Sequence, residues 1–386
     1  MPVEKNIFKI LKKISKKKKI FLHEPSLNKQ DKKNLLKCFD STFVSSVNTK
    51  NSFNQQFAKR LKKITKSKYI SLVINGTAAL HLALISSGVK KNDEVLMPSL
   101  NYIASANATL YCNAIPHFVD IDKKLLTVSP KRLKEHLTKN SKIKNGICIN
   151  KKTGKIIHAL IVTHIFGMSA QIDEICKICK TYNIKVIEDA AEALGSFYKK
   201  KHLGNFGDCG ILSFNGNKVV TTGNGGALIT NNKKIFEKAN HLSQISKLSK
   251  GYFDYSGVGY NYKMSNLNSA LGLAQLKRLK LILKKKENLF KKYKKISSEN
   301  SYYKILESLK NSKPNYWLIT IILNERNKNL KNRLLKITNT NGFQTRPAWK
   351  LLHKIEYLKK YPRARLDNSD EMYDKIINLP SSPDLI

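Results

Sequence analysis

Apolar residues recur along the chain in two alternating patterns. From residue 68, short runs rich in β-branched residues alternate with segments whose apolar positions have helical spacing. Strands are predicted at residues 69–74, 94–97, 116–120, 158–163 and 185–188, with helices at 78–87, 103–113, 131–137 and 171–182. This alternation predicts an α/β fold with a mostly parallel sheet flanked by helices. Ligands of such sheets bind beyond the carboxyl ends of the strands, which here carry Asn75, Asn101, His164 and Asp189.

After residue 195 the apolar runs become shorter. Further strands are predicted at 210–214, 226–230 and 317–323, and helices at 266–295 and 328–339. We expect an N-terminal helical lead-in at 1–30, a large α/β domain at 31–265 and a smaller C-terminal α+β domain at 266–386. Within residues 6–19 of the lead-in, Ile7, Ile10, Leu11 and Ile14 have the spacing of one helical face. This short face is expected to pack on the protein itself, with binding to a membrane surface as the alternative.

The chain is strongly basic. Its 386 residues include 71 Lys and Arg against 27 Asp and Glu, a formal net charge of +44. Such an excess is typical of proteins that bind nucleic acid or anionic membranes. The lysines, however, are spread over the whole chain without a nucleic-acid-binding motif, and Lys, Asn and Ile share A/T-rich codons. We therefore expect no specific nucleic-acid partner, only a weak, salt-sensitive affinity for polyanions.

The sequence predicts neither a membrane span nor a disulfide framework. No apolar run approaches the roughly 18 residues of a span, and the basic N-terminus is not followed by the core of a signal peptide. A cytoplasmic protein is therefore expected. The six cysteines are scattered. Cys176 and Cys179 have CxxC spacing but fall within a predicted helix without further ligands nearby, so no metal site is expected.

Lys218 has the most informative surroundings. It lies in an uncharged, glycine-containing run, residues 213–227, downstream of a strand that ends next to Asp189. A carboxylate, a later lysine and glycines that admit a phosphate suit pyridoxal phosphate. The chemistry of this cofactor requires a lysine amine, an acid for the pyridine nitrogen and donors for the phosphate. The alternatives are a solvated surface lysine for Lys218 and a salt bridge to one of the many lysines for Asp189.

Further candidates lie at neighbouring strand ends. Gly76 and Thr77 open a helix directly after a strand, where N–H groups and a hydroxyl can bind a phosphate, although Gly-Thr also occurs as a simple cap. Tyr102 is a candidate for stacking on a planar cofactor, with a core aromatic as the alternative. Ser213, five residues before Lys218, can donate to the phosphate.

Four ordered motifs carry a family resemblance. They are Asn75-Gly-Thr77, Asp189-Ala-Ala-Glu192, Ser213-Phe-Asn-Gly-Asn-Lys218 and Gly259-Tyr-Asn-Tyr-Lys-Met264. Together they resemble the DegT/DnrJ-type sugar aminotransferases, which are pyridoxal-phosphate enzymes of fold type I, over roughly residues 22–382. Residues 23–25, 41–46, 213–226 and 345–349 are similar to the aminotransferases of legionaminic-acid and bacillosamine biosynthesis.

The resemblance implies a role for each matching residue. Lys218 would bind the cofactor covalently, and Asp189 would bind its pyridine nitrogen. The phosphate would be held by Gly76, Thr77 and Ser213, and the ring would stack on Tyr102.

Two further roles follow from the same resemblance. Asn261 would reach the phosphate of the neighbouring subunit, so that the active unit is a homodimer with shared sites. Glu192 would stand near the phenolic oxygen of the cofactor. An ionised carboxylate there is repulsive unless it is protonated or turned away.

The substrate side has weaker signals. His164 is a candidate for lining a sugar pocket or for a structural role, and Arg346 and His353 are candidates for contacting the amino donor or the nucleotide sugar. The resemblance implies transfer of an amino group from L-glutamate to C4 of a nucleotide-linked 4-keto-6-deoxy sugar, specifically a UDP-linked 2-acetamido sugar. The alternatives are a sugar dehydratase of the same fold, in which a histidine replaces the lysine, and a non-enzymatic regulatory or polyanion-binding protein.

Overall fold

The computed structural model describes residues 2–15, 17–46, 49–248, 253–298 and 300–386. Its strands are β1 (Tyr69–Val73), β2 (Glu94–Pro98), β3 (Ile115–Val119), β4 (Ser141–Lys144), β5 (Ile147–Asn150), β6 (Ile157–Thr163), β7 (Lys185–Asp189), β8 (Phe197–Tyr198), β9 (Lys201–His202), β10 (Cys209–Ser213), β11 (Gly226–Thr230), β12 (Tyr303–Ile305), β13 (Ser312–Lys313), β14 (Ile319–Leu323), β15 (Arg346–Pro347) and β16 (Ile376–Leu379). Its α-helices are α1 (Pro2–Ile14), α2 (Lys29–Asp40), α3 (Phe53–Thr65), α4 (Gly76–Ser86), α5 (Ala104–Tyr111), α6 (Pro130–Asn140), α7 (Ile172–Thr181), α8 (Lys233–Leu242), α9 (Asn266–Ile296), α10 (Lys328–Thr340) and α11 (Asp367–Tyr373).

A seven-stranded sheet carries the candidate residues. Its order is β1-β11-β10-β7-β6-β2-β3, and β11 runs antiparallel to both of its neighbours while the other pairs are parallel. Strands β2, β10 and β11 are buried along their whole length, as expected for a sheet covered on both faces. One face packs on α4, α5 and α8, and the other on α3, α6, α7 and α9. The predicted mostly parallel α/β fold is confirmed.

A second, antiparallel sheet lies in the C-terminal part of the chain. Its order is β12-β14-β16-β15, and it shares a hydrophobic core with α1, the C-terminal half of α9 and α10. Helix α9 also packs against α2 and α3 of the larger part, so one helix connects both sheets. The smaller α+β part expected from the sequence is therefore present. The division of the chain at residues 30 and 265 stays a prediction.

The N-terminal helix packs on the C-terminal sheet. The predicted face of Ile7, Ile10, Leu11 and Ile14 is buried, with exposed fractions of 1–4%, and contacts side chains such as Phe343. Helix α1 begins before the stretch 6–19 that carries this face and ends within it, at residue 14. Residues 1 and 16 of the predicted lead-in lie outside the described residues. Packing on the protein is thus observed, rather than a free amphipathic face.

Two further expectations from the sequence concern membrane spans and metal sites. Among the described residues, none of the helices is long and apolar enough to cross a membrane. On α7, Cys179 is buried and Cys176 is partly buried, and no cluster of metal-binding side chains is found in the described part of the chain.

Candidate active site

The turn between β1 and α4 forms an anion-binding site at a strand end. Asn75 caps the helix, and its Oδ1 accepts a hydrogen bond of 2.8 Å from the N–H of Ala78. Gly76 and Thr77 occupy the first two helical positions, where N–H groups have no partner within the helix. Because the helix dipole adds positive potential at this end, the turn is suited to a phosphate.

Two glycines allow the backbone to close around this turn. A Cβ on Gly76 would lie 3.1 Å from the Cβ of Ser213, the last residue of β10. A Cβ on Gly226, in β11, would lie 2.4 Å from the carbonyl oxygen of Asn75 and 2.8 Å from the nitrogen of Gly76. The helix N-terminus and the Ser213 hydroxyl are therefore brought together in a cradle that a larger side chain would fill.

A cavity of about 290 Å³ opens above this cradle. We call it the Lys218 cavity. It lies at the carboxyl ends of β1, β6, β7 and β10, the position expected for a ligand in a parallel sheet. Most of the residues predicted to bind the cofactor line it, namely Gly76, Thr77, Tyr102, Asp189, Glu192, Ser213 and Lys218.

Lys218 is enclosed within this cavity. Its side chain is only 13% exposed, and its Nζ lies 3.5 Å from Glu192 Oε1. The same Nζ lies 3.8 Å from the centroid of the Trp317 ring. The indole N–H of Trp317 in turn donates a hydrogen bond of 2.8 Å to the carbonyl oxygen of Asn217. The alternative of a solvated surface lysine is therefore wrong.

Asp189 presents a buried carboxylate to the same cavity. Its Oδ1 accepts from the N–H of Ala191 at 3.1 Å, and its Oδ2 accepts from Ser105 Oγ at 3.4 Å. No lysine or arginine of the described chain forms an ion pair with it, so the salt-bridge alternative is not observed. Burial raises the pKa of this carboxyl above its ordinary value, although the Ala191 N–H and the charge of Lys218 oppose the shift. A cationic ring nitrogen beside Asp189 would stabilise the ionised form.

Glu192 is buried between Lys218 and the backbone of Phe166. Its Oε2 accepts a hydrogen bond of 2.7 Å from the N–H of Phe166. Burial raises the pKa of Glu192 to about 7, against the lowering effect of Lys218. The protonated form is therefore substantially populated near neutral pH. Protonation removes the repulsion that an ionised carboxylate would exert on a phenolic oxygen.

An exposed tyrosine and a buried threonine also line the Lys218 cavity. Tyr102 is 52% exposed, and its ring centroid lies 5.9 Å from that of Trp349. Thr163, at the end of β6 and in register with Asp189 of β7, lines the cavity with a buried hydroxyl that has no hydrogen-bond partner among the described residues. An unpartnered buried hydroxyl beside a carboxylate is the kind of group that a polar ligand satisfies.

Two of the predicted substrate residues lie elsewhere. His164 is fully buried, with Nε2 2.8 Å from Glu188 Oε2 and Nδ1 accepting from the N–H of Ala170 at 3.2 Å. His353 is also buried, with Nδ1 2.6 Å from Ser99 Oγ. Neither residue lines the Lys218 cavity. These contacts favour the structural alternative for His164, and the expectation that His164 or His353 contacts substrate stays a prediction.

The remaining two predicted residues lie in separate cavities. Arg346 lines a cavity of about 450 Å³ that adjoins the Lys218 cavity and shares Asn217, Trp317 and Trp349 with it. Asn261 is exposed and lines a different cavity of about 610 Å³. It therefore does not contribute to the Lys218 cavity of its own chain.

A family model described as the DegT/DnrJ/EryC1/StrS aminotransferase family matches residues 25–386. The chain belongs to this family. The GDP-perosamine synthase of Escherichia coli O157:H7 is 33% identical over 371 residues, covering 95% of this chain and 94% of that protein. The UDP-4-amino-4,6-dideoxy-N-acetyl-β-L-altrosamine transaminase of Campylobacter jejuni (strain 81-176) is 32% identical, covering 84% of this chain and 83% of that protein.

A solved structure shares the fold of this chain. The PLP form of the putative sugar aminotransferase Spr1654 from Streptococcus pneumoniae superimposes with a TM-score of 0.83 at 19% identity, covering 94% of this chain and 93% of that one. The family membership, the fold class, the sugar aminotransferase activity and the pyridoxal phosphate cofactor predicted from the sequence are thereby confirmed.

The residues of this family member fit pyridoxal phosphate. The glycine-lined cradle matches the phosphate, Asp189 matches the ring nitrogen, and the unpartnered Thr163 hydroxyl supplies one further donor. Sequence reasoning missed Thr163 because it singled out His164, the next residue. Side chains alternate between faces along a strand, so an error of one residue selects the wrong face.

Both tryptophans were also missed as site residues. Trp317 and Trp349 are the two tryptophans of the chain, and both line the Lys218 cavity. Trp349 lies within a segment that resembles related aminotransferases, and this resemblance could have indicated Trp349 as a site residue. Trp317 begins a predicted strand, where an aromatic residue is ordinary, so its position beside Lys218 depends on the tertiary structure.

Proposed function

We propose that this chain transfers an amino group from L-glutamate to C4 of a nucleotide-linked 4-keto-6-deoxy sugar. The observation that carries the proposal is the enclosure of Lys218 between Glu192 and Trp317, in the same cavity as the buried Asp189. Bound pyridoxal phosphate supplies an electron sink for the charge that develops when a proton leaves the donor's α-carbon. The Campylobacter relative is named for a 4-amino-4,6-dideoxy sugar, which supports C4 as the position of the amine.

The chain's own residues divide the remaining work. Asp189 would keep the ring nitrogen protonated, and the α4 N-terminus and Ser213 would hold the phosphate. Lys218 would move the proton between the donor's α-carbon and the cofactor, and later back to the sugar carbon. Glu192, with its pKa near 7, can keep the phenolic side of the cofactor supplied with a hydrogen-bond donor.

The substrate we propose is a UDP-linked 2-acetamido sugar, as the resemblance to the legionaminic-acid and bacillosamine enzymes implies. A GDP-linked sugar is the second candidate, because the Escherichia coli relative is named GDP-perosamine synthase. Catalytic efficiency with UDP-linked and GDP-linked 4-keto-6-deoxy sugars, measured with glutamate as donor, separates the two. The new product is identified by mass, since an amine and a dehydration product differ in composition.

Five outcomes of this comparison have distinct meanings. A higher kcat/KM for the UDP-linked sugar supports the proposal, and the reverse order assigns the GDP-linked sugar. Conversion of glutamate to 2-oxoglutarate without any sugar product contradicts the proposed acceptor. Loss of the sugar's hydroxyl without gain of nitrogen would assign the dehydratase alternative, and absence of all turnover would favour a binding protein. The cytoplasmic location and the pathway stay predictions.

We also propose that the active unit is a homodimer with shared sites. Asn261 lies outside the Lys218 cavity of its own chain, and nearby apolar side chains are unusually exposed, with Phe253 at 88% and Val258 at 85%. Exposed apolar residues around a polar group are typical of an interface. Such an interface would bring Asn261 to the site of the second copy.

Mixing two inactive variants tests this arrangement. In a mixed dimer of Lys218→Ala and Asn261→Ala chains, one site contains both substitutions and the other contains neither. After dissociation and random reassociation, a shared-site dimer should regain about one quarter of the wild-type activity. If the mixture stays inactive although mixed dimers form, the sites are not shared in this way.

A further inference from the structure

The cavity next to the Lys218 cavity contains a histidine without a partner. His23 is 8% exposed, and neither of its ring nitrogens has a hydrogen-bond partner among the described residues. Its ring lines the 450 Å³ cavity, which we call the His23 cavity. Leaving a buried polar group without a partner is unfavourable, so such a group calls for a ligand or another explanation.

The backbone around His23 is held in place on both sides. The N–H of Leu22 donates to Gln344 Oε1 at 2.8 Å, and the N–H of Glu24 donates to Ser382 Oγ at 2.8 Å. The carbonyl oxygen of Leu22 accepts from the N–H of Ser381 at 2.7 Å. The imidazole is thus presented by a fixed segment, which is the arrangement of a preorganised binding group.

The walls of the His23 cavity indicate the chemistry of its ligand. Its lining contains no carboxylate, and Arg346 is the one residue with a permanent charge among those that form it. The rings of Trp317 and Trp349 and the amide groups of Asn217, Gln344 and Asn378 complete the polar and aromatic surface. Aromatic faces with scattered hydrogen-bonding groups suit a ring that carries both C–H and O–H groups.

The charge state of His23 favours an uncharged ligand group. Burial lowers the pKa of His23 well below its ordinary value, and the positive charges of Lys286 and Lys218 lower it further, whereas the nearby backbone of Asn217 acts in the opposite direction. A neutral imidazole offers one donor and one acceptor. That pair matches a hydroxyl or acetamido group better than it matches a carboxylate, which would need a cationic partner.

We propose that His23 contacts substrate, and that the His23 cavity binds the hexose ring of the nucleotide sugar. This inference rests on the proposed function and extends it to a residue outside the predicted site. Because Trp317 and Trp349 line both cavities, a hexose in the His23 cavity would lie next to the cavity that contains Lys218. Arg346, at the exposed side, would lie toward the phosphates.

The test uses binding, so it does not depend on turnover. UDP-N-acetylglucosamine and GDP-mannose are each titrated against their free nucleotides on cofactor-loaded protein, with the tryptophan emission of Trp317 and Trp349 as the readout. The variants are His23→Phe, which removes both ring nitrogens, and His23→Gln, which keeps a donor and an acceptor. We expect His23→Phe to weaken binding of a nucleotide sugar about tenfold and to leave the affinity for the free nucleotide unchanged. His23→Gln should bind the nucleotide sugar more tightly than His23→Phe does.

Two further measurements, of thermal stability and of the glutamate reaction, distinguish this role from a structural one. The Tm of His23→Phe should equal or exceed that of the wild type, because an unpartnered buried polar group is removed. Conversion of glutamate to 2-oxoglutarate should be unchanged. The inference would be overturned if His23→Phe lost affinity equally for the nucleotide sugar and the free nucleotide, or lost no affinity at all. It would also be overturned by a slower glutamate reaction in His23→Phe, or by a wild-type protein that binds neither nucleotide sugar. Wild-type protein that binds sugars through His23 but never aminates them would contradict the proposed function alone.

Discussion

Lys218 and Trp317 fix one another at the mouth of the cofactor cavity. The Nζ of Lys218 lies 3.8 Å from the centroid of the Trp317 ring, and the Trp317 indole donates to the carbonyl oxygen of Asn217, the residue before Lys218. The carbonyl oxygen of Trp317 in turn accepts a hydrogen bond from the buried Lys286. A cation over an aromatic face contributes about 0.5–2 kcal/mol. The amine and its loop are therefore positioned by a residue of the C-terminal part of the chain.

Lys218→Ala should abolish transamination while leaving the fold intact. The substitution removes the amine that we propose for covalent chemistry and proton transfer, whereas the Lys218 side chain forms no described hydrogen bond beyond that with Glu192. The measurements are the rate of 2-oxoglutarate formation and the Tm. Lys233→Ala is the matched control, because Lys233 is 70% exposed and pairs with Glu237 on the surface. Near-normal turnover in purified Lys218→Ala protein would refute the mechanism.

Asp189→Asn should weaken cofactor binding without changing the shape of the site. The substitution removes the charge that we propose pairs with the ring nitrogen, and loss of one partner of a buried charge pair costs about 3 kcal/mol. The Kd of pyridoxal phosphate should therefore rise roughly a hundredfold, which equilibrium dialysis measures. Glu237→Gln, a charge removal at an exposed position, should leave the Kd unchanged. An equal Kd in Asp189→Asn would exclude the proposed partnership.

Much of the central sheet could be predicted, because its strands are short apolar runs and its helices begin after glycine or small-residue turns. The α4 turn and β7 follow the predicted ranges closely. Helices α3 and α8 were not predicted. Their apolar residues are few and their surfaces rich in lysine, and only the tertiary structure shows that Phe57, Leu61 and Ile235 are buried.

Site residues could be predicted where the local sequence determines their position. They could not be predicted where the site is formed by segments far apart in the sequence. Gly76, Thr77, Asp189 and Ser213 occupy strand ends or helix starts, so topology alone brings them together. His23, by contrast, reaches its cavity through pairing of the N-terminal segment with residues beyond position 340. Residues 23–25 resemble related aminotransferases, but the sequence contains no local signal that brings them to residues beyond 340.

Glu192 should make the stability of the cofactor-free protein depend on pH. Its pKa is raised from an ordinary value of 4.5 to about 7, so between these values the folded chain binds a proton that the unfolded chain has released. This proton binding adds up to about 3 kcal/mol to the free energy of unfolding. The contribution is fully present below about pH 4.5 and is lost as the pH rises through about 7. Urea unfolding of the wild type and Glu192→Gln across this range measures it. The two free energies of unfolding should diverge with pH, and parallel curves would show that Glu192 ionises normally.

Gly226→Ala should disrupt the phosphate cradle through the backbone. The added Cβ would lie 2.4 Å from the carbonyl oxygen of Asn75 and 2.8 Å from the nitrogen of Gly76, so the β1–α4 turn must move. We expect a loss of about 1–3 kcal/mol in the free energy of unfolding and a raised Kd for pyridoxal phosphate. Gly216→Ala is the matched control near Lys218, because its Cβ would meet nothing closer than the carbonyl oxygen of Gly223 at 3.8 Å. Equal behaviour of the two variants would show that close packing of β11 on this turn does not shape the site.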